Sequence, residues 1–196
     1  MIGLRSPSFQ VSYREYKMKP CCRVVVAFAL LNFGCNSGPS APELRDSAVY
    51  SNAVEGFRFR VPEEWTQTAN SVLPAGKIAG DVFLVRYQVK SAEPNATLSI
   101  ICRDDVSPDR VSELHAGPSF GVERWTVREP VVELSIAGRK ADRIVYEAKL
   151  AGQSMLKHAT CFHSNGRLYS FVALFSANDE KARQQVERAA SSVLWD

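Results

Sequence analysis

Residues 154–176 read SMLKHATCFHSNGRLYSFVALFS, and the Asn165-Gly166 pair in the middle decides how the chain folds. Asn-Gly between two apolar runs is the strongest short-range hairpin signal, because both turn residues must take positive φ. With those two residues as the loop, Ser164 faces Arg167, Phe162 faces Tyr169, Thr160 faces Phe171 and Leu156 faces Phe175. Side chains alternate along a strand. One face therefore carries Leu156, Phe162, Tyr169, Phe171 and Phe175, and the other Met155, Ala159, Cys161, Leu168, Val172 and Leu174. A hairpin apolar on both faces belongs in the middle of a sheet, covered on both sides.

Working outward, the C-terminal side predicts a helix from about Asp179 to Leu194, capped by Asn178 or Asp179. Ala182, Val186, Ala189 and Val193 form its stripe at helical spacing. On the N-terminal side, Ala151-Gly152 and Ala137-Gly138-Arg139 supply two more turns. Ile144, Tyr146, Ala148 and Leu150 line the strand between them. The strand before, 125–136, changes phase at Pro130, which predicts a bulge or an edge. Ser107-Pro108-Asp109 starts a short helix with a capping hydroxyl, and Gly117-Pro118 ends it. Further back, residues 95–103 place Leu98, Ile100 and Cys102 together, and residues 81–90 place Phe83, Val85, Tyr87 and Val89 together. Residues 66–80 read as loop. The first strand is Phe57, Phe59 and Val61 alternating with Arg58 and Arg60, stopped by Pro62 and followed by Trp65.

The N-terminus reads as an address. Lys19 and Arg23 lead an unbroken apolar run from Val24 to Leu31, with Gly34-Cys35 just beyond. A positive lead, a short apolar core and a small residue before the cut make an export signal. The run is shorter than the roughly 20 residues a bilayer span needs. With cysteine at the cut, residues 1–35 resemble a bacterial lipoprotein signal in which Cys35 is acylated. Asn32 and Phe33 depart from that pattern, and a plain secretory signal cut further on is the alternative. Met18 would open a well-formed signal by itself, which predicts it as the true start. Residues 36–53, rich in Ser, Pro, Ala and Gly, read as a tether, and 54–196 as one domain. Five of the 24 Lys and Arg but one of the 21 Asp and Glu lie in residues 1–35. The rest carries 19 positive and 20 negative charges, so it has no electrostatic footprint for nucleic acid.

Candidate chemistry is sparse. Cys102 and Cys161 are the two cysteines left in the domain, and an oxidising envelope allows either a disulfide or two buried thiols. His158, Cys161 and His163 are the one cluster of metal-ligand types, but His158 points away from the other two. Two ligands do not make a zinc site, and Cys102 or His115 would have to join them. A Cys161/His163 nucleophile pair lacks a visible orienting group and oxyanion hole. The acidic pairs Glu63-Glu64 and Asp104-Asp105, and the arginines at 58 and 60, read as solvated surface. Asn95-Ala96-Thr97 fits the glycosylation pattern, which a bacterial lipoprotein rarely uses. No catalytic residue, metal site or cofactor is expected.

Four segments together resemble the PsbP-like family, the oxygen-evolving subunit P of photosystem II and its bacterial lipoprotein relatives. They are residues 56–65, the Ala137-Gly138-Arg139 turn with the strand through Tyr146, Gly166-Arg167-Leu168-Tyr169, and residues 178–195. The resemblance implies an α+β fold: an antiparallel sheet of about six or seven strands flanked by helices in an α/β/α sandwich, with a C-terminal amphipathic helix. It implies accessory roles in binding, assembly and scaffolding, with no shared catalytic site. The expectation is a non-enzymatic envelope lipoprotein, held to the membrane by its lipid and facing the periplasm or exterior, with an envelope protein as partner. The alternative is a small envelope hydrolase or metal-dependent enzyme centred on Cys161 and His163.

Overall fold

Three tight turns set the largest sheet. A computed structural model describes residues 48–196 apart from 74, 75, 92, 94 and 105. In it Ala137-Gly138, Ala151-Gly152 and Asn165-Gly166 all have positive φ at both positions. They join β6 (Thr126–Ile136), β7 (Arg139–Leu150), β8 (Gln153–Ser164) and β9 (Arg167–Ser176) into an antiparallel meander. The four cross-strand pairs expected of the central hairpin are all present. Ahead of the meander lie β1 (Ala48–Asn52), β2 (Phe57–Val61), β3 (Thr66–Asn70), β4 (Val82–Gln88) and β5 (Thr97–Asp104). After it come helix α2 (Glu180–Ser191) and a two-residue strand, β10 (Leu194–Trp195). A 3-10 turn (Pro108–Arg110) runs into a one-and-a-half-turn helix, α1 (Val111–Ala116), which Gly117 ends as expected.

The seven-stranded sheet has the order β3-β4-β5-β9-β8-β7-β6, so the hairpin is central, and β1-β2-β10 form a second, three-stranded sheet. One face of the large sheet buries Leu98, Ile100, Leu156, Phe162, Tyr169, Phe171 and Phe175 against Phe57 and Phe59 of β2 and the Ala182, Val186 and Ala189 stripe of α2. The other buries Ile144, Tyr146, Met155, Ala159, Cys161 and Leu168 under Val111 and Trp125.

Several expectations need correction. The layers are not a regular α/β/α sandwich: α2 shares its side with the small sheet, and the far side is closed by a short helix and a loop. Residues 48–52 of the expected tether form β1, whose pairing with β2 recruits them into the fold. The expected loop 66–80 begins with β3, an edge strand exposed at every position, which therefore shows no apolar alternation. Phe83 leaves the face of Val85 and Tyr87 because a bulge shifts the register between Phe83 and Val85. Leu84 takes the buried place, and Phe83 lies outside beneath the Arg86 guanidinium, 4.8 Å from its ring. The last helix stops at Ser191, and Leu194-Trp195 pair with β2 instead of continuing it. Ser107 makes no side-chain cap, whereas the Asp179 carboxylate accepts from Ala182 N at 2.9 Å as a helix cap should. The phase change near Pro130 is both a bulge and an edge.

Cys35, the export signal, Met18, residues 36–47 of the tether and Asp105 lie outside the described residues.

A candidate binding cleft over Lys157

Residues 111–125 cross the second face of the sheet, and polar groups hold them there. Tyr146 Oη donates to Ser112 O at 2.8 Å, and Trp125 Nε1 to Ser119 O at 3.2 Å. Lys157 sits beneath this segment. Its Nζ donates to His115 O and, at 2.9 Å, to Ser119 Oγ. The ammonium lies 4.6 Å from the Trp125 ring centre and 5.3 Å from that of Tyr146, its cross-strand neighbour. Only 1% of Lys157 is exposed, and burial lowers its pKa to about 7.

Beside it, His115 Nε2 lies 3.1 Å from Ser170 Oγ and 3.4 Å from Cys161 Sγ. Burial, with the positive charges of Lys157 and Arg103, lowers its pKa to about 4, so the imidazole is neutral near pH 7. Burial pushes the Cys161 thiol up to about 12. A cavity of about 60 Å³ opens onto Lys157, His115, Ser119 and Ser170, walled by Arg103 and Asp81 and by apolar side chains that include Leu114 and Phe120. A larger outer cavity of about 450 Å³ shares Arg103 and Leu114 with it and adds Arg110 and Glu113. The two make one cleft, open at the arginines and closed at the lysine.

Cys161 thus meets a histidine, but not the expected one. His163 is on the same face yet exposed at the hairpin end, 3.2 Å from Val106 O. His158, on the opposite face, stacks edge-on against Phe175. Among the described residues no three His, Cys, Asp or Glu side chains gather as a metal site. Of the two alternatives for Cys102 and Cys161, the structure has the pair of buried free thiols and not the disulfide. Cys102 pairs with Tyr169 on one side of β9, and Cys161 with Ser170 on the other. Two strand spacings separate them by about 9.6 Å, beyond the roughly 7 Å that a bridge tolerates between Cα atoms. Their side chains also enter opposite cores.

Lys157 is the functional candidate that the sequence reading passed over. Its signal was present: it has the parity of Met155, Ala159 and Cys161, a lone cation within an apolar set.

No family model matches the sequence, and no curated protein does. Solved structures do match. The solution structure of cyanobacterial PsbP (CyanoP) from Synechocystis sp. PCC 6803 aligns with a TM-score of 0.54 at 16% identity, over 76% of this chain and 93% of that one. A crystal structure from Bacteroides thetaiotaomicron VPI-5482 aligns with a TM-score of 0.51 at 8% identity, over 76% of this chain and 48% of the other. LpqN of Mycobacterium tuberculosis, described as involved in cell envelope biogenesis, aligns at 0.42 and 14% identity, over 75% and 82%. The chain has a PsbP-like fold.

Proposed function

We propose that this protein is a non-enzymatic, membrane-tethered lipoprotein of the bacterial envelope, and that its PsbP-like domain is a binding or assembly accessory. The observation that carries the reading is the state of the groups under the cleft. Cys161 beside His115 is the arrangement a thiol nucleophile would need, but the thiol is pushed up to about 12 and the imidazole down to about 4. A cysteine nucleophile works as thiolate, stabilised by a charged neighbour. Here burial opposes both charges, which disfavours attack by this thiol and supports a binding role for the cleft. The leader ending at Cys35 supports the address, and no helix among the described residues is long and apolar enough to cross a membrane.

A photocrosslinking residue placed at Arg110, on the cleft rim, should trap a discrete envelope component in growing cells. The same residue at Lys149, which is exposed on β7, should not. Equal labelling at both positions would remove the cleft from the proposal. A substrate turned over by the protein but not by Cys161→Ser would replace it with an enzyme.

A further inference from the structure

We propose that the inner cavity is a binding site for one singly charged oxyanion group, a carboxylate or a phosphodiester. Its oxygens would accept from Lys157 Nζ on the floor and the Arg103 guanidinium on the wall. This rests on reading the cleft as a binding site.

Lys157 is a buried ammonium whose hydrogen-bond partners, a carbonyl and a hydroxyl, are both neutral. Those two use two of its three donors, and no carboxylate among the described residues pairs with it. A buried charge without a counterion is costly, and the described residues supply none. Arg103 faces the same cavity with its Nε committed to Asp81 at 2.7 Å, and among the described residues its terminal nitrogens are left for a second acceptor. Lys157 and Arg103 against Asp81 leave one positive charge in excess when the lysine is protonated. One negative charge completes the set.

Size agrees. About 60 Å³ exceeds the roughly 10–15 Å³ that one water requires and suits a small oxyanion group, too little for a sugar ring. The rest of the ligand would extend past Leu114 into the outer cavity, where Arg110 and Glu113 stand at the rim.

The test is the thermal midpoint of the purified protein in sodium acetate or sodium dimethyl phosphate, against sodium chloride of equal ionic strength and against neutral acetamide. Ligand that binds only the folded state raises the midpoint with concentration. Acetate or dimethyl phosphate should raise it beyond chloride, and acetamide should not. Acetate alone would mark the ligand as a carboxylate, dimethyl phosphate alone as a phosphodiester. Lys157→Met should abolish the anion-dependent rise. Arg103→Gln, whose side chain is part-exposed, should keep the fold and weaken the apparent anion affinity at least tenfold. Arg58→Gln, on the small sheet, should leave it unchanged. A rise equal to that of chloride, or one that Arg103→Gln leaves intact, overturns the oxyanion site. Cleft-specific crosslinking at Arg110 without an anion effect would keep the binding reading and reject this ligand class.

Discussion

Ala137, Ala151 and Asn165 each hold the first place of a two-residue turn, at φ of 49°, 49° and 53°. Left-handed backbone costs an ordinary L-residue roughly 1–2 kcal/mol, a cost asparagine largely avoids. Ala151→Asn should therefore raise stability by about 0.5–1 kcal/mol, seen as a higher urea midpoint at unchanged slope. A lower midpoint would deny that this turn is built as described. The cysteines make a second residue-scale prediction. Both thiols are buried and pushed up to about 12, so neither should react with iodoacetamide in the folded protein. Both should react in denaturant without prior reduction.

At the scale of elements, two residues of β10 close the small sheet. Trp195 packs against Phe57, Phe162 and Tyr169 at ring separations of 5.0–5.9 Å, with the Arg139 guanidinium 5.2 Å from its own ring. Leu194 beside it is 44% exposed. Trp195→Ala should cost about 3 kcal/mol and Leu194→Ala under about 1, in chemical unfolding at pH 7. Equal costs would contradict the packing of Trp195 described here. The contrast shows what was legible. Burial alternates in β2, where spacing alone determines the faces, while β8 and β9 are buried on both faces and their register was legible from the Asn165-Gly166 turn. β1, β3 and β10 are short or exposed, so long-range pairing rather than pattern makes them strands. The bulge that turns Phe83 outward is likewise invisible, because a one-residue register shift leaves no local mark. Lys157 was legible only as an anomaly, since its partners come from α1 and the loop after it, which no periodicity places over the sheet.

For the whole molecule, burial links stability to pH. His115 and His158 are both held down to about 4, His158 with neither ring nitrogen hydrogen-bonded and its Nδ1 3.7 Å from Glu187. Between pH 6.5 and 4 the unfolded chain gains protons that the folded one refuses, so stability falls as pH drops through that window. Lys157, lowered to about 7 from 10.5, works in the same direction higher up, and stability should rise from pH 7 toward 8.5. Urea midpoints at intervals from pH 4 to 8.5 check this; a midpoint that is flat or falls with rising pH contradicts the buried placement of these groups. A second clamp ties the start of the domain to its central hairpin: Arg167 binds Glu55 at 3.0 Å and Asp104 at 3.0 Å, and Tyr169 Oη donates to Glu55. The most direct test of the proposed function is the intact mass of protein purified from membranes without reductant. A diacyl- or triacyl-modified species beginning at Cys35 is the predicted result. An unmodified species starting beyond Cys35 would contradict it and make the domain a freely secreted one.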